Sequence, residues 1–416
     1  MGLLGDRFRE IVKQSKNPKM EEASFDVMYP TGFLPLDYLN GYVTVVNMPN
    51  GKKMMYNSIG ILDGTSNLII GRTGAGKTSF AVQAGANIIR PFENGVMFID
   101  DIEGGSNKMR MYQLSGFDPD EAEKRIIYRN SAISAENFYE RIYDIYEEKL
   151  NHRADYEYDT GLLDSLGRPV YKLVPTVYIL DSLAMLMPDK LTEEEEMSGQ
   201  MSTTASAKTN TAALRRIIPK LKAANIILFV INHIYDKIET NMFARTKSLM
   251  VGLKQDETLP GGKANNYLSN NAIRIDDNVK LKDSEGLGIN GKIVDFTLIK
   301  TRTNMPLRAV SMVLDYDNGY DPILSLFTFM KANGYIESRG AYMNLPGSDI
   351  KFTQKGFMEK ISTDPEFANV FMTECNKRLQ ELLKLPDTQE DIKKKQSANQ
   401  ILSSMISANT KMIDLE

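Results

Sequence analysis

Residues 68–80 read Leu-Ile-Ile-Gly-Arg-Thr-Gly-Ala-Gly-Lys-Thr-Ser-Phe, and this stretch decides the fold. The apolar run Leu68–Ile70 predicts a buried strand, Gly71 opens a loop, and Ser79–Ile89 has helical spacing. The pattern G-x-x-x-x-G-K-[ST] thus lies between a strand and a helix, which is the context that such a match needs. The backbone N–H groups of such a loop point inward at an anion, and the helix N-terminus adds partial positive charge. The stretch therefore predicts a phosphate-binding loop, or P-loop.

The P-loop predicts a nucleotide as its ligand. Lys77 would reach the β- and γ-phosphates, and Thr78 would hold Mg²⁺. The alternative is a glycine-rich turn that binds nothing, and the flanking strand and helix argue against it. The residues expected to contact the nucleotide here are Gly71, Arg72, Thr73, Gly74, Ala75, Gly76, Lys77, Thr78 and Ser79.

Composition narrows the class of protein. The chain has 416 residues, enough for one large domain with smaller ones, and its 42% hydrophobic content is ordinary for a globular protein. A single cysteine, Cys375, excludes an internal disulfide framework, and two histidines make a structural zinc site unexpected. No apolar run has membrane-spanning length and Met1–Glu10 lacks a signal-peptide core, so we expect a cytoplasmic protein without a membrane partner. Because the net charge is −4, any DNA binding must come from a few loops and helix ends and not from the charge of the whole chain.

Strands alternate with helices after the P-loop. The predicted strands are Gly95–Asp100, Ile126–Tyr128, Thr176–Leu180, Ile226–Ile231, Ala272–Ile275, Ile293–Ile299 and Ala309–Leu314. The predicted helices are Ala135 to about Leu150, Thr211–Ala224, Asp321–Gly334, Phe352–Ile361 and Phe367–Leu383. This order predicts an α/β fold, with a mostly parallel sheet and helices on both of its faces.

Other segments carry weaker patterns. Residues 2–16 predict an amphipathic helix too short to be stable alone, so we expect it to dock on another surface. Val43–Val46 and Gly60–Leu62 flank a polar Asn-Gly stretch and predict an extended hairpin, whereas residues 151–173 look polar and irregular. Two stretches without an apolar period, at about 188–207 and 235–262, predict long loops, which in compact domains are usually functional or disordered.

Carboxylates follow two of the predicted strands. Asp181 ends an apolar strand, where P-loop proteins place the acid that orients Mg²⁺ through water; the alternative is an N-cap formed by Asp181 or Ser182. Asp101 and Glu103 follow another strand. Hydrolysis needs a base or a water-positioning group opposite the γ-phosphate, and a carboxylate at a strand end suits that role. The alternative is that these two acids only solvate a loop.

A polar pair, Asn232-His233, follows a third predicted strand. In a parallel sheet this pair would lie along the same edge as the P-loop, within reach of the γ-phosphate. His233 could then sense hydrolysis by gaining or losing one hydrogen bond. The alternative is a histidine that is hydrogen-bonded within a loop.

Several short motifs occur in a fixed order between about residues 25 and 345. They are Thr31-Gly32-Phe33-Leu34-Pro35-Leu36-Asp37, Asp101-Ile102-Glu103, Asp181-Ser182-Leu183-Ala184, Asn232-His233 with Tyr235, Pro260-Gly261-Gly262 with Tyr267 and Ser269, Lys300-Thr301-Arg302, and Tyr316–Pro322. Together with the P-loop, this series resembles the RecA-type strand-exchange recombinases, and most of all their phage UvsX branch.

The resemblance implies a domain plan and a ligand set. It implies a protomer-docking helix and linker at 1–30, a RecA-type ATPase core at 31–345 and a helical C-terminal region at 346–416. It implies ATP and Mg²⁺ as cofactors. The roles it carries over are Glu103 as the catalytic carboxylate, Asp181 beside the metal with Thr78, His233 near the γ-phosphate, Tyr112 (or Met111) stacked on adenine, and Lys300 and Arg302 as a basic pair that reaches the neighbouring subunit's nucleotide.

The function implied is a DNA-dependent ATPase and homologous recombinase. Such a protein forms a helical filament on single-stranded DNA and pairs it with homologous double-stranded DNA. Single-strand-binding and mediator proteins of a phage would be further partners, and an infected bacterium its setting. One alternative is a ring-forming helicase motor with the same core. Another is an ATP-gated filament that protects DNA without strand exchange, against which the intact Lys77, Glu103 and Asp181 argue.

The resemblance also implies two DNA-binding loops, at about 188–207 and 236–262. The candidate DNA contacts are Lys208, Arg245, Lys247, Lys254, Gly261, Gly262 and Lys263. Around the second loop five basic residues face four acidic ones, so it is only mildly basic. Because Glu193–Glu196 would repel DNA, we expect the first loop to engage it through Gln200–Lys208. Residues 42–57 look like an insertion, and 350–416 lack the acidic tail of RecA.

Overall fold

The structure is a computed structural model. It describes residues 26–187, 199–236, 252–260, 264–281, 289–345, 348 and 350–410 of the chain. The expected N-terminal helix at 2–16 and most of the expected second DNA loop lie outside these residues. Within the described part, no helix is long and apolar enough to cross a membrane.

The elements are numbered along the chain. The strands are β1 Met28–Tyr29, β2 Tyr42–Asn47, β3 Lys53–Ser58, β4 Ile61–Leu62, β5 Ser66–Gly71, β6 Met97–Asp101, β7 Ile126–Arg129, β8 Glu157–Leu163, β9 Pro169–Leu173, β10 Thr176–Asp181, β11 Ile226–His233, β12 Tyr235–Asp236, β13 Glu257–Thr258, β14 Asn271–Leu281, β15 Gly291–Lys300, β16 Arg308–Asp315, β17 Gly319–Asp321, β18 Glu337–Arg339, β19 Tyr342–Asn344 and β20 Lys351–Phe352. The helices are α1 Leu34–Asn40, α2 Lys77–Ile89, α3 Lys108–Ser115, α4 Pro119–Arg125, α5 Ala135–Asn151, α6 Arg153–Tyr156, α7 Gly199–Ala224, α8 Ala264–Leu268, α9 Pro322–Ala332, α10 Phe357–Thr363, α11 Pro365–Gln380 and α12 Gln389–Thr410, with a 3₁₀ turn at Leu183–Met185.

A nine-stranded sheet forms the centre, in the order β17-β16-β15-β14-β5-β11-β10-β6-β7. Pairing is parallel from β7 to β14 and antiparallel from β14 to β17. Strands β5, β10 and β11 are buried along their whole length. Continuous apolar strands of this kind are typical of a parallel sheet covered on both faces. The predicted α/β fold with a mostly parallel sheet is therefore confirmed.

Helices cover the two faces with separate cores. On one face α2 inserts Phe80, which packs edge-on against Phe229 and Phe296 from the sheet. On the other face α5 and α7 bury Phe138 and Leu214 among the side chains of β10 and β11. The sheet is thus held from both sides, and this fixes the positions of the strand ends.

The ends of four parallel strands meet at one edge. Gly71 at the end of β5 pairs with His233 of β11, and Asp101 of β6 pairs with Asp181 of β10. Since parallel strands end on the same side of a sheet, the P-loop, both acids and the histidine lie together.

Three sequence predictions are wrong. Helix α7 begins at Gly199, so the end of the expected first loop is helical; its Ser, Thr and Ala residues give no apolar period that would mark a helix. The hairpin near residue 50 pairs β2 with β3 and not with Gly60–Leu62, and β4 pairs with β1 instead. Residues 151–173 contain α6 and the hairpin β8–β9, whose strands are partly exposed and therefore rich in polar residues.

Candidate nucleotide site

The P-loop is shaped by its glycines. Gly74 and Gly76 have φ of 78° and 92°, in the left-handed region that favours glycine. A Cβ atom on Gly76 would lie 2.5 Å from the hydroxyl of Tyr320, and one on Gly71 would lie 2.5 Å from the carbonyl oxygen of Ile275. Any larger residue at either position would force the loop away from the sheet.

Lys77 is buried inside the loop. Its Nζ donates to the carbonyl oxygens of Gly71 at 3.1 Å and Arg72 at 2.9 Å, and lies 3.4 Å from His233 Nδ1. Burial lowers the pKa of Lys77, while the carboxylates of Asp181 and Glu103 oppose that shift. The ammonium is therefore held where the phosphates of a bound nucleotide would lie.

Thr78 and Asp181 form an oxygen pair beside the lysine. Thr78 Oγ1 donates to Asp181 Oδ2 at 2.5 Å. Burial raises the pKa of Asp181 to about 6, against the lowering effect of the bond from Thr78. A hydroxyl and a carboxylate are hard oxygen ligands of the kind that Mg²⁺ prefers, so this donor set fits the expected metal. The peptide bond between Asp181 and Ser182 is cis.

Glu103 and His233 face each other across the mouth of the loop. His233 Nε2 lies 2.8 Å from Glu103 Oε1, out of line for a hydrogen bond, and Ser182 Oγ donates to the same carboxylate. Burial and then the charge of Lys77 lower the pKa of His233, although Glu103 opposes this. Because Lys77 can only donate to Nδ1, we assign the hydrogen of the neutral ring to Nε2, facing Glu103.

Asp101 and Glu103 have different surroundings. Asp101 is buried and accepts from the amides of Gly104 at 2.9 Å and Ser106 at 3.0 Å, and from the hydroxyl of Tyr128 at 3.0 Å. Both of its oxygens are thus used to hold the loop after β6. The Glu103 side chain is one-third exposed and points at the P-loop, so it is the carboxylate of this pair that can meet a water molecule.

Comparisons with known proteins show similarity to RecA. The model of the RecA N-terminal domain family matches residues 173–321. Protein RecA of Haemophilus ducreyi is 26% identical over 195 residues, covering 46% of this chain and 48% of that protein. Protein RecA of Thermus aquaticus is 28% identical over 173 residues, covering 40% of this chain and 45% of that protein. Over residues 173–321 the chain is therefore similar to the RecA N-terminal domain family.

The match to RecA relatives is partial. The chain spans about half the length of the curated relatives it matches. The crystal structure of the RadB recombinase has a TM-score of 0.37 and 17% identity, and the alignment covers 63% of this chain and 92% of that one. A structural likeness of that size carries no argument. The closeness to the UvsX branch and the expected domain boundaries stay predictions.

Lys300 and Arg302 lie far from the P-loop of their own chain, because Lys300 pairs with Ala272 where the parallel strands begin. Lys300 Nζ donates to the carbonyl oxygens of Asn266, Tyr267 and Ser269 at 2.5, 3.1 and 2.7 Å, and Arg302 Nη2 donates to that of Tyr267 at 3.3 Å. These carbonyls precede β14, at the edge of the sheet where the parallel strands begin. Burial, and secondarily Arg302, lowers the pKa of Lys300 to about 8. The pair thus has no carboxylate partner in the described chain.

The expected adenine-stacking residues are both buried. Met111 and Tyr112 lie in α3, and the hydroxyl of Tyr112 donates to Glu123 Oε2 at 2.5 Å. The ammonium of Lys108 lies 5.2 Å from the centre of the Tyr112 ring. The role of Tyr112 therefore stays a prediction. Helix α3 does approach the P-loop side, because Arg110 Nη2 donates to the carbonyl oxygen of Tyr316 at 3.0 Å.

Two P-loop supports were missed by the sequence reasoning. Lys292 in β15 is buried and donates to the carbonyl oxygen of Gly74 and to Asp277 Oδ1, both at 2.6 Å. Tyr320 is fully buried under the loop and donates to the carbonyl oxygen of Ala75 at 3.3 Å. Tyr320 lay within a quoted motif and could have been found there. Lys292 had no such signal, because strand pairing brings it to a residue 218 positions away.

The base of the expected second DNA loop is tied to the P-loop. Arg72 binds Asp236 through two hydrogen bonds of 2.5 and 3.1 Å, and Glu257 is fully buried against Arg274, with contacts of 2.6 and 2.9 Å. Asn232 Nδ2 donates to the carbonyl oxygen of Pro260 at 2.9 Å. Two of the four acids counted near this loop are therefore neutralised, which leaves five basic residues against two acidic ones.

Among the expected DNA contacts, the structure describes the side chain of Lys254 only. It is exposed, and its backbone N–H donates to Glu257 Oε2 at 2.8 Å. The others, namely Arg245, Lys247, Gly261, Gly262, Lys263 and the side chain of Lys208, lie outside the described residues and stay predictions.

Proposed function

We propose that this chain is an ATP-dependent homologous recombinase that assembles on single-stranded DNA and pairs it with homologous duplex DNA. One observation carries the proposal: the P-loop, the Thr78–Asp181 pair, Glu103 and His233 converge at the same sheet edge as the base of the segment 237–251. The nucleotide site and a DNA-binding loop would then be held by the same edge of the sheet. The RecA relatives are consistent with this proposal.

In the proposed reaction, each residue acts at a stated place. Lys77 and the backbone of the P-loop bind the phosphates, and bound Mg²⁺, held by Thr78 and Asp181, would neutralise charge on the β- and γ-oxygens. Glu103 accepts a hydrogen bond from the attacking water and aims it at the γ-phosphorus. Ser182 fixes the carboxylate for this role through its hydrogen bond.

His233 would connect the nucleotide to DNA. Its ring contacts Lys77 on one side and Glu103 on the other, and its main chain leads directly into β12 and Asp236. Arrival or loss of the γ-phosphate would change these contacts. That change would be passed to the segment 237–251, whose two ends are held at Asp236 and Gly252. A segment that becomes ordered when a γ-phosphate binds, and disordered when it leaves, is a known type of switch.

Lys300 and Arg302 would complete the site of an adjacent subunit. In their own subunit they lie at the edge of the sheet opposite the P-loop, since Lys300 pairs with Ala272 and Ala272 pairs with Leu68. Cations supplied from a neighbour would stabilise the charge on the transferring phosphoryl group, as an arginine finger does. Hydrolysis would then require assembly.

A ring-forming helicase motor is the second candidate, because it would use the same nucleotide site. The two functions differ in assembly and product. A recombinase forms open filaments and pairs homologous strands, whereas a helicase forms closed rings and separates strands. We favour the recombinase because the motifs that resemble that family extend beyond the nucleotide site to Lys300 and Arg302.

Electron microscopy combined with an ATPase assay tests the proposal. The full chain should form long filaments on single-stranded DNA with ATP or a slowly hydrolysed analogue, and DNA should stimulate hydrolysis. Closed rings together with ATP-driven unwinding would establish the helicase instead. Filaments on DNA without any pairing of homologous strands would support the protective function.

A further inference from the structure

A groove of about 1400 Å³ lies on the far side of the molecule from the nucleotide site. Its walls are the strands β2 and β9, the turn that precedes β9, and the helices α5 and α7. Asp63 and Asn225, which precede β5 and β11, form its floor, whereas the P-loop follows β5. The groove is therefore at the opposite edge of the parallel strands and is separate from the ATP site.

Strand edges line the groove. Consecutive residues of β2 (Thr44–Asn47) and of β9 (Pro169–Leu173) border it. If either strand turned one of its faces toward the groove, only every second residue of that strand would border it. Both strands therefore turn an edge toward the groove. Among the residues that the structure describes, β2 pairs with β3 and with a single bridging residue, Lys384, while β9 pairs with β8 alone.

The backbone N–H and C=O groups that face the groove can be identified from their alternation along each strand. The N–H of Val43 points away from β3, because it donates to the carbonyl oxygen of Lys384 at 2.9 Å. Val45 and Asn47 follow at intervals of two, so their N–H and C=O groups point the same way, out of the hairpin. On β9, the carbonyl of Leu173 accepts from Asn225 at 2.6 Å, which puts the amide groups of Tyr171 on the open edge. Both edges offer donors and acceptors to an added strand.

The groove is positively charged. Six of its lining residues are basic (Arg153, Arg168, Lys172, Arg216, Lys220 and Lys222) and two are acidic (Asp63 and Asp164). Asp63 is bound by Lys172 at 2.7 Å and by Lys222 at 2.8 Å, and Asp164 is bound by Arg168. In the described part of the chain, Arg216 has no carboxylate in contact, and Lys220 lies 4.5 and 4.6 Å from the ring centres of Tyr143 and Tyr146. Arg153 is paired with Glu157 at 2.9 Å and Lys222 also with Asp26 at 2.9 Å, so the surplus positive charge lies on Arg216 and Lys220 and favours an anionic occupant.

We propose that this groove binds an extended acidic peptide segment of a partner protein, which adds a strand to the open edge of β2. Main-chain hydrogen bonds at Val45 and Asn47 would hold the peptide, and its carboxylates would meet Arg216 and Lys220. Nucleic acid fits less well, because the open edges present carbonyl oxygens as well as N–H groups. A phosphate backbone offers no donors to those carbonyls.

Fluorescence anisotropy with the full chain tests the proposal. The probes are labelled nonapeptides in which glutamate alternates with valine or threonine, in both registers. We expect saturable binding that is weakened roughly tenfold by the double variant Arg216→Ala, Lys220→Ala, since two exposed ion pairs are lost. The matched control is Lys394→Ala, because Lys394 on α12 is an exposed lysine paired with Glu390 and lies away from the groove; it should bind as the parent does.

Backbone methylation separates strand addition from simple charge attraction. N-methylation of alternate residues on one edge of the peptide should abolish binding, whereas methylation on the other edge should leave it intact. The proposal is overturned if no peptide binds, if the double variant binds normally, or if both methylated forms bind alike. It is also overturned if a DNA oligonucleotide of equal charge displaces the peptide at the same concentration, which would make the groove a nucleic-acid site. ATP hydrolysis of the double variant should be unchanged in every case.

Discussion

His233 Nε2 lies 2.8 Å from Glu103 Oε1, at the mouth of the P-loop. The other ring nitrogen lies 3.4 Å from Lys77 Nζ. One neutral imidazole therefore contacts both the phosphate-binding lysine and the carboxylate that would position water. In the proposed function, this contact would couple the state of the bound nucleotide to the residues that follow β11.

Replacing His233 by glutamine tests whether the imidazole itself or only its donor and acceptor groups are needed. Glutamine also carries one donor and one acceptor end, so His233→Gln should keep DNA-stimulated hydrolysis within a few-fold of the parent. His233→Ala should lose most of the stimulation but still bind ATP. Both rates are measured with and without single-stranded DNA. A glutamine variant as defective as the alanine variant would show that the imidazole itself is needed.

The pKa of His233 sets the pH dependence of this contact. Since burial lowers that pKa, the ring stays neutral at and above its ordinary value of about 6.5. Coupling to DNA should therefore be flat from pH 7 to 8.5 and fall only on acidification below that ordinary value, as the ring gains a proton. The His233→Gln protein lacks this titrating group, so its coupling should fall less on acidification, and what fall remains would come from Asp181, whose pKa burial raises to about 6.

Lys77 and Glu103 should fail in different ways. Lys77→Ala removes the ammonium that contacts phosphate, so nucleotide binding and hydrolysis should both be nearly abolished. Glu103→Gln should bind ATP and single-stranded DNA but hydrolyse at least roughly a hundredfold more slowly, because a group that orients the attacking water is lost. Asp101→Asn serves as the control. Asp101→Asn should lower the thermal stability but have a much smaller effect on the hydrolysis rate than Glu103→Gln has, since Asp101 holds the loop after β6.

The second DNA loop can be shortened without disturbing its supports. A deletion of residues 242–251 stops before Gly252, whose carbonyl accepts from Arg274 at 2.8 Å, and before the buried Leu253. The folded core should be retained and DNA stimulation of hydrolysis abolished. For the parent, log affinity for single-stranded DNA should fall with log salt at a slope of about −0.7 per phosphate contact. Unchanged stimulation in the deletion would remove this loop from the DNA site.

Lys300 and Arg302 should act across the subunit interface. The double variant Lys300→Ala, Arg302→Ala should bind ATP normally yet show little DNA-dependent hydrolysis. Mixing it with Lys77→Ala protein should restore part of the activity, because one protein supplies an intact P-loop and the other supplies intact cations. The absence of recovery at any ratio, with both proteins folded and co-assembling, would contradict a role across the interface.

The sequence predicted the mostly parallel sheet, and the meeting of the P-loop, Asp181 and His233 at one edge of it, because both depend on local patterns. Apolar runs marked β5, β10 and β11. The glycine-rich loop after β5 and the polar residues that end β10 and β11 marked the site, since parallel strands end at one edge. The hairpin β8–β9 was missed because its strands are half exposed, and a polar strand resembles a loop in sequence.

Contacts between distant parts of the chain were not accessible from sequence. Lys292 reaches Gly74, and Arg72 reaches Asp236, only because the sheet brings them together. The acidic count around the expected second DNA loop was misleading for the same reason: Asp236 and Glu257 are neutralised by Arg72 and Arg274, which lie outside that loop in the sequence. Strand position alone could not separate Asp101 from Glu103, because Asp101 accepts from two backbone amides whereas Glu103 faces His233.

Pairing of homologous DNA tests the central claim most directly. The purified chain is assembled on a labelled single strand with ATP and Mg²⁺, and the transfer of that strand into duplex DNA is followed by gel electrophoresis. The proposed function predicts joint molecules with homologous duplex, none with heterologous duplex, and none with Lys77→Ala protein. Filaments that hydrolyse ATP but never produce homology-dependent joint molecules would contradict the assignment as a recombinase.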